Sequence, residues 1–460
     1  MRFFRRASVL ACVLALSSPV LTSPALAQDC GGSFSQFVAG LKSEAVSKGH
    51  SAAAVDRFFA GVQQDPAVLR ADRRQGVFQM PFVDFARRLI SQNRIDNGKA
   101  NRQRHADVFA RMEREYGVSP GVLLAFWAFE TDYGQVQGDF NTLNALVTLS
   151  HDCRRPELFR PQVFAALDLF ERGNFDPRTT TGAWAGEIGM VQMLPEDILT
   201  NGVDGDGDGQ VSLKTSPPDA LLSGANMLRD LGWRAGEPWL QEVTVPADLD
   251  WSLTGLDQPR PPSDWQAMGV RVRDGQAADL PAALILPQGR KGPAFFAYPN
   301  FNVYFEWNKS FVYVLTAAYF ANRLEGAAVF DAGTPEPGLG DEEMKQLQRK
   351  LQARGHDVGE IDGILGAGDA HRVERDVALG QGRCDDPVHP DVQQIRAAPV
   401  IEIDGAFLGR PCLDRRPVDL AGEKSVAELR RLGVLGLSGP RRKEREQARD
   451  CCCMFHDLPP

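Results

Sequence analysis

The residue best placed to do chemistry is a single carboxylate, Glu130. It lies in Ser119-Pro120-Gly121-Val122-Leu123-Leu124-Ala125-Phe126-Trp127-Ala128-Phe129-Glu130-Thr131-Asp132-Tyr133-Gly134. Ser119 is a suitable N-cap, Pro120 at the first helical position loses no hydrogen bond, and Gly134 is a natural stop. Counting back three, four and seven residues from Glu130 reaches Trp127, Phe126 and Leu123, so on a helix the acid shares a face with large apolar groups. Lost hydration there disfavours the charged form and raises the pKa. A carboxylic acid still protonated near neutral pH is what a glycosidic leaving oxygen needs. The same helix also admits a buried Glu that pairs with an Arg or accepts backbone amides.

A second group is Asp204-Gly205-Asp206-Gly207-Asp208-Gly209-Gln210-Val211-Ser212-Leu213. Carboxylates at alternate positions and a Gly at the sixth form the first half of an EF-hand-type calcium loop, with the Gln210 carbonyl at the seventh. The twelfth position is Thr215 instead of the bidentate Glu, and Asp219 is the nearest acid that could close the site. An Asp/Gly-rich solvated turn is the competing interpretation.

The N-terminus is a secretory signal: Arg2, Arg5 and Arg6 precede an apolar run, and Pro24-Ala25-Leu26-Ala27 offers a small-x-small cleavage site. The mature chain is expected to start near Gln28 and to be exported, with no transmembrane segment. Removing three Arg and no acid moves the net charge from −9 to −12, which argues against a nucleic-acid partner. In an exported chain, Cys30 and Cys153 are the two cysteines before Cys384, so a bridge tying the mature N-terminus to the core is expected.

These groups need a scaffold. Helical, amphipathic spacing runs from Ser33 to about Gly117, as in Phe34, Phe37 and Leu41 or Phe82, Phe85 and Leu89, and these stripes face a core. Helices are also expected over 141–149, 160–171 and 310–324. The Gly-rich stretch 182–195 is a loop running into a helix beneath a cleft. Residues 244–290 are Pro-rich with short β-prone runs, a small β subdomain. Residues 328–341 form a linker, 342–368 open with an amphipathic helix, and periodicity fades from 369.

With these residues assembled, the chain resembles the lytic murein transglycosylases of the membrane-bound B type (glycoside hydrolase family 103), followed by a partial peptidoglycan-binding module. The resemblance rests on Phe126-Trp127-Ala128-Phe129-Glu130-Thr131-Asp132-Tyr133-Gly134; on Trp184-Ala185-Gly186-Glu187-Ile188-Gly189-Met190-Val191-Gln192-Met193-Leu194-Pro195; on the Asp204–Ser212 loop; and on Asn300-Phe301 with Trp307-Asn308-Lys309-Ser310. It implies a mainly α (α+β) fold: a lysozyme-like catalytic domain over 28–327 with a helical N-terminal part and a small β subdomain, then a truncated helical module. It implies periplasmic action on peptidoglycan glycan strands by a monomer, with no cofactor for the chemistry and a possible structural Ca2+ held by Asp204, Asp206, Asp208, Gln210 and Asp219. In this chemistry one acid suffices, because the muramyl 6-hydroxyl closes on its own C1 and no water attacks. Glu130 would protonate the leaving oxygen and then take the 6-hydroxyl proton. Gln192 would hydrogen-bond the sugar, Asn308 would position it, and Trp307 and Tyr133 would contact it.

Some positions depart from the pattern. Ala183 stands where many relatives carry a Ser that hydrogen-bonds the N-acetyl group, and Glu196-Asp197 replace a small hydroxyl pair. The module lacks its second helix after Gly368, so a reading-frame change near 368 is expected, leaving 369–460 disordered. Two other functions compete: a hydrolytic muramidase, which would need a second carboxylate such as Asp132, and a non-catalytic wall-binding protein.

Overall fold

Glu130 rides on a helix buried on every side, and the rest of the molecule is packed to achieve that. The structure is a computed structural model describing residues 30–73, 80–335 and 339–363 other than 354, 356, 357, 359 and 360. The signal segment 1–27, residues 364–368 of the expected module and the 369–460 tail lie outside the described residues.

Among the described residues six helices precede the central one: α1 (Phe34–Ser47), α2 (Ala52–Phe58), α3 (Pro66–Asp72), α4 (Phe82–Leu89), α5 (Gln92–Arg104) and α6 (Ala106–Tyr116). The central helix is α7 (Pro120–Thr131), and all twelve of its residues are buried. A helix that is apolar on every face up to its last turn must be enclosed by others. Then come α8 (Thr142–His151), α9 (Pro156–Glu171), α10 (Pro195–Asn201), α11 (Pro217–Asp230), α12 (Pro262–Ala267), α13 (Pro299–Trp307), α14 (Phe311–Leu324) and α15 (Asp341–Ala353). Helix α14 packs along α7, with Phe320 stacked on Phe129 at 5.0 Å. The helix α13, which positions Trp307, was not foreseen, and no helix among the described residues is long and apolar enough to cross a membrane.

The expected cap of α7 is built differently. The Ser119 side chain makes no cap bond and instead donates to Glu325, and Glu325 Oε1 accepts the Gly121 N–H at 2.7 Å. An acid at the end of α14 thus caps α7 and favours its positive end. The helix also stops before Gly134, because Asp132 (φ 49°) and Tyr133 (φ 60°) turn left-handed.

Strands β1 (Phe140–Asn141) and β2 (Thr181–Gly182) pair in a short ribbon beside the Glu130 end of α7. The β subdomain is a four-stranded antiparallel sheet of β3 (Leu240–Thr244), β4 (Arg271–Val272), β5 (Ala283–Ile285) and β6 (Ala294–Ala297), in the order β4-β3-β6-β5. Its side chains alternate between two cores. Leu240, Ala283, Ile285, Phe295 and Ala297 join the main core, while Val243, Leu284, Ala294 and Phe296 pack with Trp251 and Trp265 in a second one.

The expected linker is docked over its described first part. Phe330 is buried against Phe82, Phe295 and Tyr319, and the Thr334 N–H donates to the Lys291 carbonyl at 2.8 Å. Beyond it, α15 and the following turn form a small unit in which Leu351 and Val358 are buried and the Gly363 N–H donates to Gln348 Oε1.

Cys30 and Cys153 form the expected disulfide, with Cα atoms 5.1 Å apart. Beside it Arg154 and Arg155 both bond the buried Asp72 carboxylate of α3, so charge and covalent bond fix the same corner.

Candidate active site

Glu130 ends up in a cleft although its helix is enclosed, because it lies in the last turn of α7. Immediately beyond it, Thr131 Oγ1 donates to the Met190 carbonyl at 2.6 Å and accepts the Gly134 N–H at 2.9 Å, pinning α7 to the 182–195 loop. That loop folds tightly. Gly186 takes φ +93° with its Cα face against Leu146, where a Cβ would lie 2.3 Å from Cδ2. At Gly182 a Cβ would meet the Glu187 carbonyl at 1.8 Å. The Ala183 N–H donates to that carbonyl at 3.0 Å, and Ile188 bridges Met193, so the segment curls along the cleft wall before Pro195 starts α10. This matches the expected loop entering a helix.

The cleft has a volume of about 320 Å³. Glu130, Glu187, Gln192, Asp197, Trp307 and Asn308 line it, and Ala183 contributes a methyl. Glu130 as a residue is 8% exposed. Its Oε1 accepts from Trp307 Nε1 at 3.1 Å and from the Tyr313 hydroxyl in a short bond. Burial raises its pKa from the ordinary 4.5 to about 7, against the opposing pull of the Tyr313 and Trp307 hydrogen bonds. The alternative of an Arg partner is not realised: its described polar partners are Tyr313 and Trp307.

The sequence-predicted residues divide. Trp307 stacks on Phe126 at 4.2 Å and donates to Glu130 while lining the cleft, so it is packed on one side and faces the cleft on the other. Gln192 (φ 53°) lines the cleft; its Nε2 donates to the Gly189 carbonyl at 2.6 Å, leaving Oε1 without a partner among the described residues. Asn308 Oδ1 accepts the Ser310 N–H at 2.8 Å at the start of α14, so it has the helix-end role as well as a place in the cleft. Tyr133 is a correction. It is buried outside the cleft lining, and its hydroxyl donates to the Arg94 carbonyl at 2.7 Å, because the left-handed turn after α7 throws the side chain toward α5. Asp132 goes the same way and pairs with Arg94 Nε at 3.1 Å. Left-handed backbone at Asp132, Tyr133 and Gln192 around one acid is strain of the kind that functional sites hold.

Sequence reasoning missed Tyr313, Glu187 and Asp197. For Tyr313 a signal existed, since a hydroxyl inside the apolar run of α14 must find a partner. Glu187 is buried in the cleft wall, and burial above all, with the Glu130 charge, raises its pKa to about 8. Burial and the neighbouring Glu196 charge raise Asp197 to about 6. Changing Tyr313 to Phe removes a donor that favours ionised Glu130. The expected result is a further rise in the Glu130 pKa and turnover lower by at least about tenfold, read from a pH profile of kcat/KM whose alkaline limb moves upward.

In the acidic loop, Asp204, Asp206 and Asp219 bring carboxylate oxygens within 4.8 Å of one another. Asp219, fully buried, accepts the Gly205 N–H at 2.8 Å through Oδ1 and the Ser212 N–H at 2.7 Å through Oδ2, so it closes the loop in place of the absent twelfth-position acid. The Asp208 carboxylate bonds the Gln210 N–H and stands outside the trio, and Gln210 follows on the exposed side.

Residues 33–322 match the family model described as Transglycosylase SLT domain. The chain belongs to this family. Among curated relatives of this SLT-domain protein, membrane-bound lytic murein transglycosylase B of Escherichia coli is 31% identical over 157 residues, 34% of this chain and 43% of that one. The match thus spans less than half of that relative's length. Among solved structures, SltB3 from Pseudomonas aeruginosa in complex with NAG-anhNAM-pentapeptide has a TM-score of 0.69 and 36% identity, covering 76% of this chain and 95% of that one. The Escherichia coli lytic transglycosylase Slt35 in complex with calcium has a TM-score of 0.56 and 25% identity, covering 65% and 96%. The SLT-domain chain therefore has the mainly helical, lysozyme-like fold of these structures. The family match ends before α15, and the expected peptidoglycan-binding module draws no support from it.

Proposed function

We infer that this SLT-domain protein is a lytic transglycosylase that cleaves the β-1,4 bond between N-acetylmuramic acid and N-acetylglucosamine without water. The observation that carries this is one carboxyl, Glu130, held in a cleft by Tyr313 and Trp307 with its pKa raised to about 7. Protonated Glu130 gives its proton to the leaving oxygen as the C1–O bond breaks. The carboxylate so formed is met by the Tyr313 O–H and Trp307 N–H, donors already in place for the developing charge. It then takes the proton of the muramyl 6-hydroxyl as that oxygen bonds to C1, which restores the acid and yields a 1,6-anhydromuramyl end. In this reading the Gln192 Oε1 and the Asn308 Nδ2 bind the sugar, which their places in the cleft lining support. Binding of peptidoglycan fragments by SltB3 supports the substrate class.

The disulfide supports export to an oxidising compartment, the periplasm. The hydrolytic alternative loses Asp132, which is bound to Arg94, and would have to draw its second carboxylate from Glu187, Asp197 or Glu306 in the cleft lining. Muropeptide mass spectrometry of sacculi treated with the native chain and with Glu130→Gln separates the readings. Anhydromuramyl ends from the native chain alone are expected; reducing ends would mark a muramidase, and no release would mark a wall-binding protein.

Asp204, Asp206 and Asp219 would hold a structural Ca2+, consistent with the calcium complex of Slt35. Calcium at about 100 times its Kd is expected to stabilise the native chain by about 2.7 kcal/mol, read as a raised melting temperature. Asp219→Asn should lose most of that rise, and a melting temperature indifferent to calcium would exclude the site.

A further inference from the structure

Glu187 is a buried carboxyl that the mechanism above leaves unused. It lines the cleft together with Glu130, is 8% exposed, and its Oε2 has no hydrogen-bond partner among the described residues. An unsatisfied oxygen enclosed by protein is unfavourable unless something completes it. The Glu terminal torsion is soft, so a small turn of the carboxyl presents either oxygen to the cleft. The wall beside it offers no competing acceptor side chain at Ala183, whose N–H is held by the Glu187 carbonyl. Glu187 lines the same cleft as Glu130, and so borders the space that a sugar at the acid would fill.

We propose that Glu187 is a substrate-binding residue whose carboxyl accepts the N–H of the acetamido group next to the scissile bond. This rests on the cleft being a glycan site. The acetamido group sits on C2, adjacent to the carbon at which the bond breaks, and its N–H is a donor that needs an acceptor. A carboxyl oxygen accepts in both protonation states. Burial keeps Glu187 neutral near pH 7, so it performs this task without placing a second full charge beside Glu130. Held in this way, the acetamido group keeps one orientation relative to C1 and cannot swing toward the path of the 6-hydroxyl.

The test uses the full chain and soluble glycan strands, with Glu187→Gln and Glu187→Leu. Gln retains an acceptor oxygen of the same reach; Leu does not. The expected result is kcat/KM within about fivefold of native for Gln and lower by at least about 30-fold for Leu, with anhydro products throughout. A tetrasaccharide carrying a 2-O-acetyl ester in place of the acetamido group lacks the N–H. The native chain should lose about 30-fold on it, and Glu187→Leu should lose little more. If Glu187→Leu does not fold, the ester substrate on the native chain reads the same bond. Equal losses for Gln and Leu would overturn the proposal in favour of a proton-transferring carboxyl. Rates near native for both variants, or no discrimination against the ester, would overturn it in favour of a packing role. Failure of the native chain to cleave acetamido strands at all would instead remove the glycan reading, and this proposal with it.

Discussion

Glu130→Gln is expected to lower cleavage of purified peptidoglycan by at least about 10³-fold while the protein stays folded. Gln keeps the shape and can accept the Tyr313 and Trp307 bonds through its amide oxygen, but it has no proton to give. The same variant should be more stable than the native chain at alkaline pH. The sign follows from the raised pKa: between 4.5 and about 7 the folded chain keeps a proton that the unfolded chain has released, so stability falls as pH rises through that window. Above it the native chain carries the full penalty, up to about 3 kcal/mol, which a neutral amide avoids. Denaturant unfolding of both proteins at pH 5 and pH 8.5 measures this. The two curves should lie close together at pH 5 and separate at pH 8.5, and an ordinary carboxyl at position 130 would give no such divergence. Catalysis follows the same titration in the same direction: native kcat/KM should fall as pH rises through about 7.

Breaking the Cys30–Cys153 bridge should have the largest effect on stability away from the site. It spans 123 residues, and a closed loop of that length restricts the unfolded chain by about 4 to 5 kcal/mol in the chain-entropy description. The Asp72 contacts with Arg154 and Arg155 hold part of the same corner and should soften the loss. A decrease of about 2 to 5 kcal/mol is therefore expected for the Cys30→Ser and Cys153→Ser double variant, by denaturant unfolding, with kcat/KM near native because neither cysteine lines the cleft. A variant as stable as the native chain would show that N-terminal packing alone fixes the corner.

What could be read from the sequence was what local spacing controls. The α7 helix, its buried acid and the small β subdomain follow from periodicity and turn residues, and the Asp204 loop follows from alternate carboxylates. What could not be read depends on distant partners. The α7 cap belongs to Glu325, 204 residues from the Gly121 N–H it accepts. Tyr313 reaches Glu130 across 183 residues, and Trp307 across 177. Tyr133 was misplaced because the same motif carries Glu130 into the cleft, whereas the left-handed turn at Asp132 and Tyr133 redirects both; adjacency in sequence says nothing of direction once the helix ends. Glu187 escaped notice because a carboxylate in a Gly-rich loop reads as solvated until the loop is seen to fold inward against Leu146.

The most direct measurement is digestion of purified sacculi by the native chain in ¹⁸O-labelled water, with mass spectrometry of the new muramyl ends. If Glu130 serves as the single acid and base and the 6-hydroxyl closes the ring, those ends carry no ¹⁸O. One ¹⁸O at C1 of each new end would show that water attacks, and the single-carboxyl mechanism would be wrong.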